Sequence, residues 1–340
     1  MSDAAPTGGD APQTLGGLGE AGILDDIFAS LTTTDAVLVG PGDDTALLAT
    51  SGRVLATTDT MVRGRDWLDE WSSAHDVGMK VVVQNLADLA AMGGVGTGLL
   101  VTLVAPGSLP AQWARELTAG VAEVSAATGV PVIGGDLSSS DGAVMVSVTA
   151  LGELPGGGDP VLRSGASAGQ DVAVSGSLGR SAAGLEILRR GDVGWWPPTE
   201  HAATAAEWVA YHCRPDPDLT QGPVAASAGA TAMLDVSDGL VRDGTRIAAA
   251  SGLRIDLDEE VLARLAGAYE PVLGGRMALD CVLSGGEEHS LLATFPVGAA
   301  PAGWTVVGRT SATGPAGPGV WWRGERATGG HGPVAHADDG

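Results

Sequence analysis

The stretch KVVVQNLADLAAMG, residues 80–93, is the part of the sequence that most constrains the fold. It predicts the end of a long helix over residues 73–92, which Gly93 terminates. At the other end, Ser73 followed three residues later by Asp76 resembles a capping box. The helix is apolar nearly all round, so we expect it to be buried rather than to lie on the surface.

Polar side chains interrupt this apolar helix, and three of them are regularly spaced. Lys80, Gln84 and Asp88 are spaced by four residues and therefore share one face. A buried carboxylate needs a cation beside it, because burying a lone charge costs at least several kcal/mol. Asp88 could form a structural pair with Lys80 or an arginine, or it could bind a metal ion. We favour metal binding.

Around this helix, short strands and helices alternate along the chain, an order that indicates an α/β fold. The segment GGGDP, residues 156–160, is the best candidate for a domain boundary because it concentrates turn-forming residues. We therefore expect a disordered tail at 1–18, an N-terminal domain at 19–155, a C-terminal domain at 160–327 and a flexible tail at 328–340.

The composition excludes several classes of partner. The chain has 340 residues, of which 41 are acidic and 18 basic, and its formal net charge is −23. Lys80 is the only lysine. Nucleic acids and anionic membranes would be repelled by this charge, since both are bound through clustered lysines and arginines. We expect neither as a partner.

The cysteines and the apolar segments indicate a cytoplasmic protein. Cys213 and Cys281 are the only cysteines, neither lies in a CxxC pair, and two cysteines cannot form a disulfide framework. The N-terminus has no basic region followed by an apolar run, as a signal peptide would. No uninterrupted apolar stretch reaches the ~18 residues that a membrane helix requires.

Common phosphate-binding and hydrolytic motifs are missing. A P-loop requires a Gly-Lys-Ser/Thr ending, and the single lysine lies instead in the segment GMKV, residues 78–81. The protein-kinase lysine and catalytic loop, an HExxH zinc motif and a GxSxG elbow are absent as well. Any ATP-dependent chemistry must therefore use another arrangement.

Aspartates instead recur where predicted strands end. Four predicted strands, among them those over residues 53–58 and 130–133, are each followed by one or two aspartates. These aspartates are Asp43, Asp44, Asp59, Asp136, Asp235 and Asp238. Ligands of α/β folds bind at strand ends, and carboxylates and hydroxyls are the hard oxygen ligands that suit Mg²⁺. Although one such aspartate is more often a turn residue, the repetition predicts a magnesium site.

Two glycine pairs directly precede acidic residues, in GGD at 134–136 and in GGEE at 285–288. Glycine allows backbone N–H groups to approach a phosphate or an ion closely. Arg163 is a candidate phosphate clamp, or else a surface arginine. Asp238 either caps the helix that follows it or lies beside a phosphate at that helix N-terminus.

Taken in order, these motifs resemble the thiamine-monophosphate kinase family. The resemblance extends from about residue 19 to 331 and rests on the segments GPGDD (40–44), TDT (58–60), QNLADLAAMG (84–93), GGD (134–136), RSG (163–165), DVSDGL (235–240) and SGGE (284–287). It implies an α/β (α+β type), two-domain aminoimidazole-ribonucleotide synthetase-like fold, in which a C-terminal mixed sheet is flanked by helices. It also implies a homodimer whose N-terminal domains form a β-barrel across the interface.

The resemblance also assigns roles to individual residues. It implies several Mg²⁺ ions, with ATP as co-substrate. The implied metal ligands or their close neighbours are Asp44, Thr57, Thr58, Asp59, Asp88, Asp136, Asp235 and Asp238; the implied ATP contacts are Gly135, Asp136, Arg163 and Ser237. Glu287 is the implied substrate contact. No side chain is expected to act as a general acid or base.

Three positions on the acceptor side depart from the family pattern. Asp66 stands where the family often has histidine, and Glu288 where it often has aspartate. His331 lies in Gly-Gly-His-Gly, near the place where the family often has a substrate-packing tryptophan. We assign Asp66 and His331, together with Glu287, to the acceptor site.

The reaction that the resemblance implies is phosphorylation of thiamine monophosphate by ATP, giving thiamine diphosphate. The alternative is another ATP-using enzyme of the same superfamily that acts on a different phosphorylated acceptor. Selenophosphate synthetase would require a reactive cysteine beside a glycine-lysine loop, and the hydrogenase-maturation relative a C-terminal cysteine; this chain has neither. A non-catalytic acidic protein that binds divalent ions is the remaining alternative.

Overall fold

The computed structural model describes residues 13–18, 31, 33–40 and 45–328. Two of the predicted site residues, Asp44 and His331, lie outside the described residues, as does most of the C-terminal tail.

The N-terminal half is built on a four-stranded sheet with the order β3-β6-β4-β5. Its elements in chain order are β1 (Val37–Val39), β2 (Leu47–Leu48), β3 (Val54–Val62), α1 (Ala74–Ala91), β4 (Val95–Ala105), α2 (Ala111–Thr128), β5 (Val132–Ser139) and β6 (Met145–Glu153). β1 and β2 form a separate two-stranded ribbon. β3 and β4 both pair antiparallel with β6, whereas β4 and β5 are parallel because α2 connects them.

Helix α1 lies between the two halves of the molecule, and its sequence explains why. The predicted capping box is present, with reciprocal hydrogen bonds between Ser73 and Asp76. One side of α1 packs on α2 and on the four-stranded sheet, while another contacts strands of the C-terminal half. An amphipathic helix would leave one face in water, so a helix with two buried sides has to be apolar nearly all round.

The two faces of the four-stranded sheet differ sharply. Side chains alternate along each strand, and Val146, Val148 and Ala150 of β6 are buried beneath the helices. On the opposite face, Val54 and Leu100 are 50% and 37% exposed. We call this second side the open face.

The C-terminal half is built on a seven-stranded sheet with the order β13-β12-β9-β11-β7-β10-β8. Its elements are β7 (Asp171–Val174), α3 (Arg180–Gly191), α4 (Ala202–Cys213), α5 (Gln221–Ser227), β8 (Ala232–Asp235), α6 (Leu240–Ser251), β9 (Leu253–Leu257), α7 (Glu259–Gly267), α8 (Glu270–Leu273), α9 (Gly275–Ser284), β10 (Leu291–Phe295), β11 (Thr305–Ala312), β12 (Gly319–Trp322) and β13 (Glu325–Arg326). β9 and β12 are parallel, and the other pairs are antiparallel. The sheet is therefore mixed, as expected.

The structure differs from the sequence-based expectation in the first tail. Within residues 13–18, Thr14 forms a β-bridge with Pro110, and Leu15 is buried in the core of the N-terminal half. A disordered tail is therefore the wrong description of this short part, because an apolar side chain fixes it to the domain.

Strand and helix lengths also differ from the prediction. β3 continues to Val62 and β5 to Ser139, so Asp59 and Asp136 lie inside strands rather than after them. Helix α9 was not predicted, because its glycine-rich start does not mark a helix N-terminus in sequence. The segment 156–160 lies between the last strand of the first sheet and the first strand of the second.

Candidate functional site

Three carboxylates from both halves of the chain face one another where α1 passes between the sheets. Asp59 lies on the helix-facing side of β3, Asp88 lies in the last turns of α1, and Asp235 is the final residue of β8. The charge of Asp235 acts on both Asp59 and Asp88. We call Asp59, Asp88 and Asp235 the carboxylate cluster.

The carboxylate cluster carries negative charge that is not fully compensated. Burial raises the pKa of Asp88 to about 6, with further increases from Asp235 and Asp59. The pKa of Asp59 is also raised, first by burial and then by Asp235. Thr57 opposes this effect in part, because its Oγ1 donates a 2.7 Å hydrogen bond to Asp88 Oδ2. A cation at this point would relieve the repulsion.

Lys80 does not pair with Asp88, which was one of the two alternatives for that aspartate. The Lys80 ammonium lies 3.0 Å from Glu287 Oε1, and the other Glu287 oxygen is 3.3 Å from His212 Nδ1. Lys80 is only 4% exposed. We call Lys80, Glu287 and His212 the lysine cluster.

The lysine cluster is compensated internally. Burial alone would raise the pKa of Glu287, but Lys80 and then His212 lower it to about 2. Burial and Lys80 lower the pKa of His212 to about 4, so the imidazole is neutral at pH 7. Ser181 Oγ, 3.0 Å from His212 Nδ1, completes the contacts around this ring.

A loop before β10 joins the two clusters. Glu287 and His289 adopt left-handed backbone conformations, with φ of 57° and 54°. The Glu287 N–H donates to Ser237 O at 2.8 Å, and a Cβ on Gly286 would approach that same oxygen to 2.4 Å. Such unfavourable conformations persist only where the surroundings hold them, and they concentrate at functional sites.

The same loop is anchored by its neighbouring acid. Glu288 is fully buried and accepts hydrogen bonds from Ser177 Oγ and from the Ser181 N–H at the start of α3, both at 2.8 Å. His289 Nδ1 is 3.1 Å from Asp235 Oδ2. Glu287 therefore belongs to the lysine cluster, while His289, two residues later, holds a member of the carboxylate cluster.

Thr58 and Asp136 lie apart from the carboxylate cluster in this chain. Both point to the open face, because they alternate with Thr57, Asp59 and Gly135 along their strands. Thr58 contacts Val148 O and Thr149, and Asp136 accepts a 2.6 Å hydrogen bond from Ser138. β3 and β5 are opposite edges of the sheet, three strand spacings or roughly 14 Å apart.

Two predicted ATP contacts have structural roles in the backbone. A Cβ on Gly135 would lie 1.9 Å from Val101 O, so glycine is required there for β5 to pack beside β4. Ser237 supplies its carbonyl to the Glu287 N–H. Arg163, another predicted ATP contact, is exposed, and its backbone carbonyl accepts a 3.1 Å hydrogen bond from Ser251 Oγ.

Asp238 and Asp66 are held by local partners. Asp238 forms ion pairs with Arg242 and Arg246 on α6 and does not cap that helix. Asp66 accepts a 2.7 Å hydrogen bond from the Val62 N–H, which stabilises the turn after β3.

The carboxylates of the cluster and the neighbouring Thr57 hydroxyl are the types of oxygen ligand that Mg²⁺ prefers, and the carboxylates carry excess negative charge. Among the residues that the structure describes, however, no group of three or more His, Cys, Asp or Glu is arranged to hold an ion. Asp44, a further predicted ligand, lies outside them.

His212, His289 and the role of Lys80 as a partner of Glu287 were missed by sequence reasoning. His212 carries no motif signal at all, and His289 has only its position after the GGEE segment. The single lysine on the face of Asp88 was the one available clue, and it left open a pairing within α1 as the alternative to metal binding by Asp88.

Comparison with known proteins gives a consistent assignment. Residues 42–154 match the family model described as AIR synthase related protein, N-terminal domain. A thiamine-monophosphate kinase structure from Stenotrophomonas maltophilia superposes with a TM-score of 0.77 at 30% identity, covering 90% of this chain and 96% of that one. The structure of AaThiL complexed with AMPPCP and TMP gives 0.70 at 29% identity, covering 91% and 95%.

The fold and the acid-lined interface therefore define a protein of the AIR synthase-related class. A thiamine-monophosphate kinase of Mycobacterium tuberculosis is 43% identical over 302 residues, covering 87% of this chain and 86% of the relative. One from Corynebacterium glutamicum is 37% identical over 310 residues, covering 89% of each. The chain belongs to the thiamine-monophosphate kinase family and is a kinase.

Proposed function

We propose that the protein transfers the γ-phosphoryl group of ATP to thiamine monophosphate, producing thiamine diphosphate and ADP. The relatives bear the name of this activity, and a similar structure was solved with AMPPCP and TMP. The observation that carries the proposal is the carboxylate cluster, formed from both halves in a chain whose only lysine is already paired with Glu287. Such a site can accommodate polyphosphates only together with cations.

The proposed chemistry requires no general base. An oxygen of the acceptor phosphate attacks the γ-phosphorus in line, the bond to the bridging oxygen breaks, and its electron pair leaves with ADP. A phosphate monoester is already largely ionised at pH 7, since its second pKa is about 6. Catalysis is then a matter of positioning two anionic groups and reducing their repulsion.

We assign the magnesium ligands to the carboxylate cluster with Thr57 and Asp44. Magnesium ions held there would supply positive charge that offsets the repulsion between the two phosphate groups during transfer. Asp88 is oriented by Thr57 and Asp235 by His289. The assignments of Thr58, Asp136 and Asp238 as ligands, of Gly135, Arg163 and Ser237 as ATP contacts, and of Asp66, Glu287 and His331 as acceptor contacts remain part of this proposal.

A coupled assay for ADP release tests the function directly. We expect magnesium-dependent ADP release with thiamine monophosphate and none above background with thiamine. Activity with thiamine alone would refute the proposed acceptor. Release only with another phosphorylated compound would favour the alternative acceptor, for which Asp66, Glu288 and His331 are the motivating departures from the family pattern.

We also propose a homodimer formed through the open face. This face presents Val54, Val95 and Leu100 to solvent beside hydroxyl side chains, and it bears Asp136 and Thr58. Pairing two such faces would bury the apolar residues and produce the β-barrel that the resemblance implies.

The substitution Leu100→Asp tests this surface, because in a symmetric dimer it places a negative charge on both subunits within the apolar contact. We expect the dimer to dissociate to monomers in multi-angle light scattering, with unchanged circular dichroism. The matched substitution Val297→Asp, at an exposed residue of the other half, should leave the mass unchanged. A monomeric wild-type protein would exclude the proposal.

A cytoplasmic location is proposed from the cysteines. Cys213 and Cys281 are both free and buried, which suits a reducing compartment. None of the described helices combines the length and the apolarity that a membrane crossing requires.

A further inference from the structure

Helix α1 carries two charged residues that meet the C-terminal half in opposite ways. Asp88 faces Asp235, so like charges oppose each other across the interface between the halves. Lys80, two helical turns earlier or about 12 Å along the axis, forms an ion pair with Glu287 across the same interface. Repulsion at one point therefore lies beside attraction at the other.

The two contacts are mechanically connected on both sides. Lys80 and Asp88 are fixed by the same rigid helix. Glu287 lies two residues from His289, which is hydrogen-bonded to Asp235, and the intervening Glu288 is buried and anchored to the start of α3. A displacement that separates Lys80 from Glu287 would also separate Asp88 from Asp235.

We propose that Lys80 is a positioning residue, whose ion pair with Glu287 clamps the two halves together and keeps Asp88 and Asp235 close enough to each other to share a divalent cation. Lys80 contacts no substrate in this role. The inference rests on the proposed function only in that the carboxylate cluster binds metal. Without the clamp, Asp88 and Asp235 would move apart until a cation brought them together, and part of the binding free energy would be spent on closing the interface.

Binding of Mn²⁺ alone, measured by electron paramagnetic resonance without nucleotide or acceptor, tests the clamp. Direct electrostatics predicts that Lys80→Met binds Mn²⁺ more tightly, because a positive charge has been removed nearby. The clamp predicts the opposite, namely weaker binding with a roughly tenfold larger dissociation constant. A change of this size lies within the usual range of coupling between two sites. The two explanations therefore differ in sign.

Three further variants sharpen the measurement. Lys80→Arg keeps the charge and should retain most of the affinity. Lys80→Met combined with Glu287→Gln should be no weaker than either single variant, because one clamp can be lost only once. Arg53→Met removes an ion pair between two exposed side chains, Arg53 and Asp159, and should leave Mn²⁺ binding unchanged.

The wild-type protein offers a test that needs no substitution. Since Lys80 is the only lysine, amine acetylation followed by peptide mass spectrometry reports on a single side chain. Coupling is reciprocal, so Mg²⁺ should favour the closed ion pair between Lys80 and Glu287 and thereby slow acetylation of Lys80. This measurement remains decisive if Lys80→Met fails to fold.

Unchanged or tighter Mn²⁺ binding by Lys80→Met, or acetylation that is insensitive to Mg²⁺, would overturn the inference while leaving the kinase assignment intact. Conversely, failure to phosphorylate thiamine monophosphate would reject the proposed acceptor without affecting the Mn²⁺ result. A wild-type protein that binds no Mn²⁺ would reject both the clamp and the proposed metal site.

Discussion

The carboxylate cluster and the lysine cluster lie on the same helix and at the same interface, yet they solve the problem of buried charge in opposite ways. In the first, burial and neighbouring acids raise the pKa of Asp88 to about 6. In the second, Lys80 and His212 overcome the effect of burial and lower the pKa of Glu287 to about 2. The only lysine of the chain thus pairs with Glu287, and no lysine is left to compensate the acids of the carboxylate cluster.

This difference separates stability from function. A buried ion pair adds little net stability, but removing one partner leaves the other charge buried and is strongly destabilising. A group of carboxylates without a cation costs stability in the folded state, and binding free energy recovers that cost. Substitutions in the two clusters should therefore change different observables.

The largest expected effect is loss of turnover in Asp88→Asn. The amide retains the shape of the carboxylate but removes the charge that holds a cation, so we expect kcat to fall at least ~100-fold. In metal-free buffer the variant should be as stable as the wild type or ~1 kcal/mol more stable, because a repelled carboxylate has been neutralised. Enzyme kinetics and urea denaturation provide the two measurements.

The control for this prediction is Asp141→Asn, an exposed aspartate in the turn before β6, which should change neither quantity. Near-normal turnover in Asp88→Asn would remove this residue from the metal site. A clear loss of stability would show that a cationic side chain of the protein compensates Asp88. That is the structural ion pair which the sequence left open as the alternative to metal binding.

The next largest effect is destabilisation by Glu287→Gln. The substitution leaves the Lys80 ammonium buried without its counter-ion, and we expect the free energy of unfolding to fall by about 2 kcal/mol. The estimate lies below the usual cost of breaking a buried pair, because the Glu287 side chain is 33% exposed.

Glu259→Gln is the matched control, since it breaks an ion pair whose partners Arg323 and Glu259 are 63% and 52% exposed. Its unfolding free energy should change by less than ~0.5 kcal/mol. Equal effects of Glu287→Gln and Glu259→Gln would mean that the lysine cluster is not a structural ion pair.

The sequence predicted the carboxylate cluster better than the lysine cluster, for physical reasons. Asp88 was identifiable because a carboxylate in a helix that is apolar on all sides conflicts with the cost of burying charge. Asp235 follows a short apolar strand, which is the ordinary place for a ligand. The partner of Lys80 could not be found in this way, because Glu287 lies more than 200 residues later and on the other sheet.

Predictions on the strands failed for a different reason. β3 contains the polar run Thr57 to Thr60, and β5 contains Asp136 and two serines, so both looked shorter than they are. Polar residues are compatible with a strand whose open face is not covered by helices. Since the position of Asp136 relative to Asp59 depends on the order of four strands, spacing alone could not show that the sheet separates them.

The smallest expected effect is that of Thr57→Val, a substitution beside the carboxylate cluster. The substitution preserves the β-branched shape in β3 but deletes the 2.7 Å hydrogen bond from Thr57 Oγ1 to Asp88. A hydrogen bond to a charged group contributes about 1.5–3 kcal/mol at most, and magnesium would take over much of the orienting role. We therefore expect kcat to fall about fivefold, with a matching increase in the magnesium concentration needed for half-maximal activity.

Thr57→Ser keeps the hydroxyl and should recover most of the loss. If valine and serine reduce activity equally, Thr57 acts through packing in β3. The hydrogen bond from Thr57 would then not orient the carboxylate cluster, which is the feature that distinguishes this cluster from the ion-paired lysine cluster.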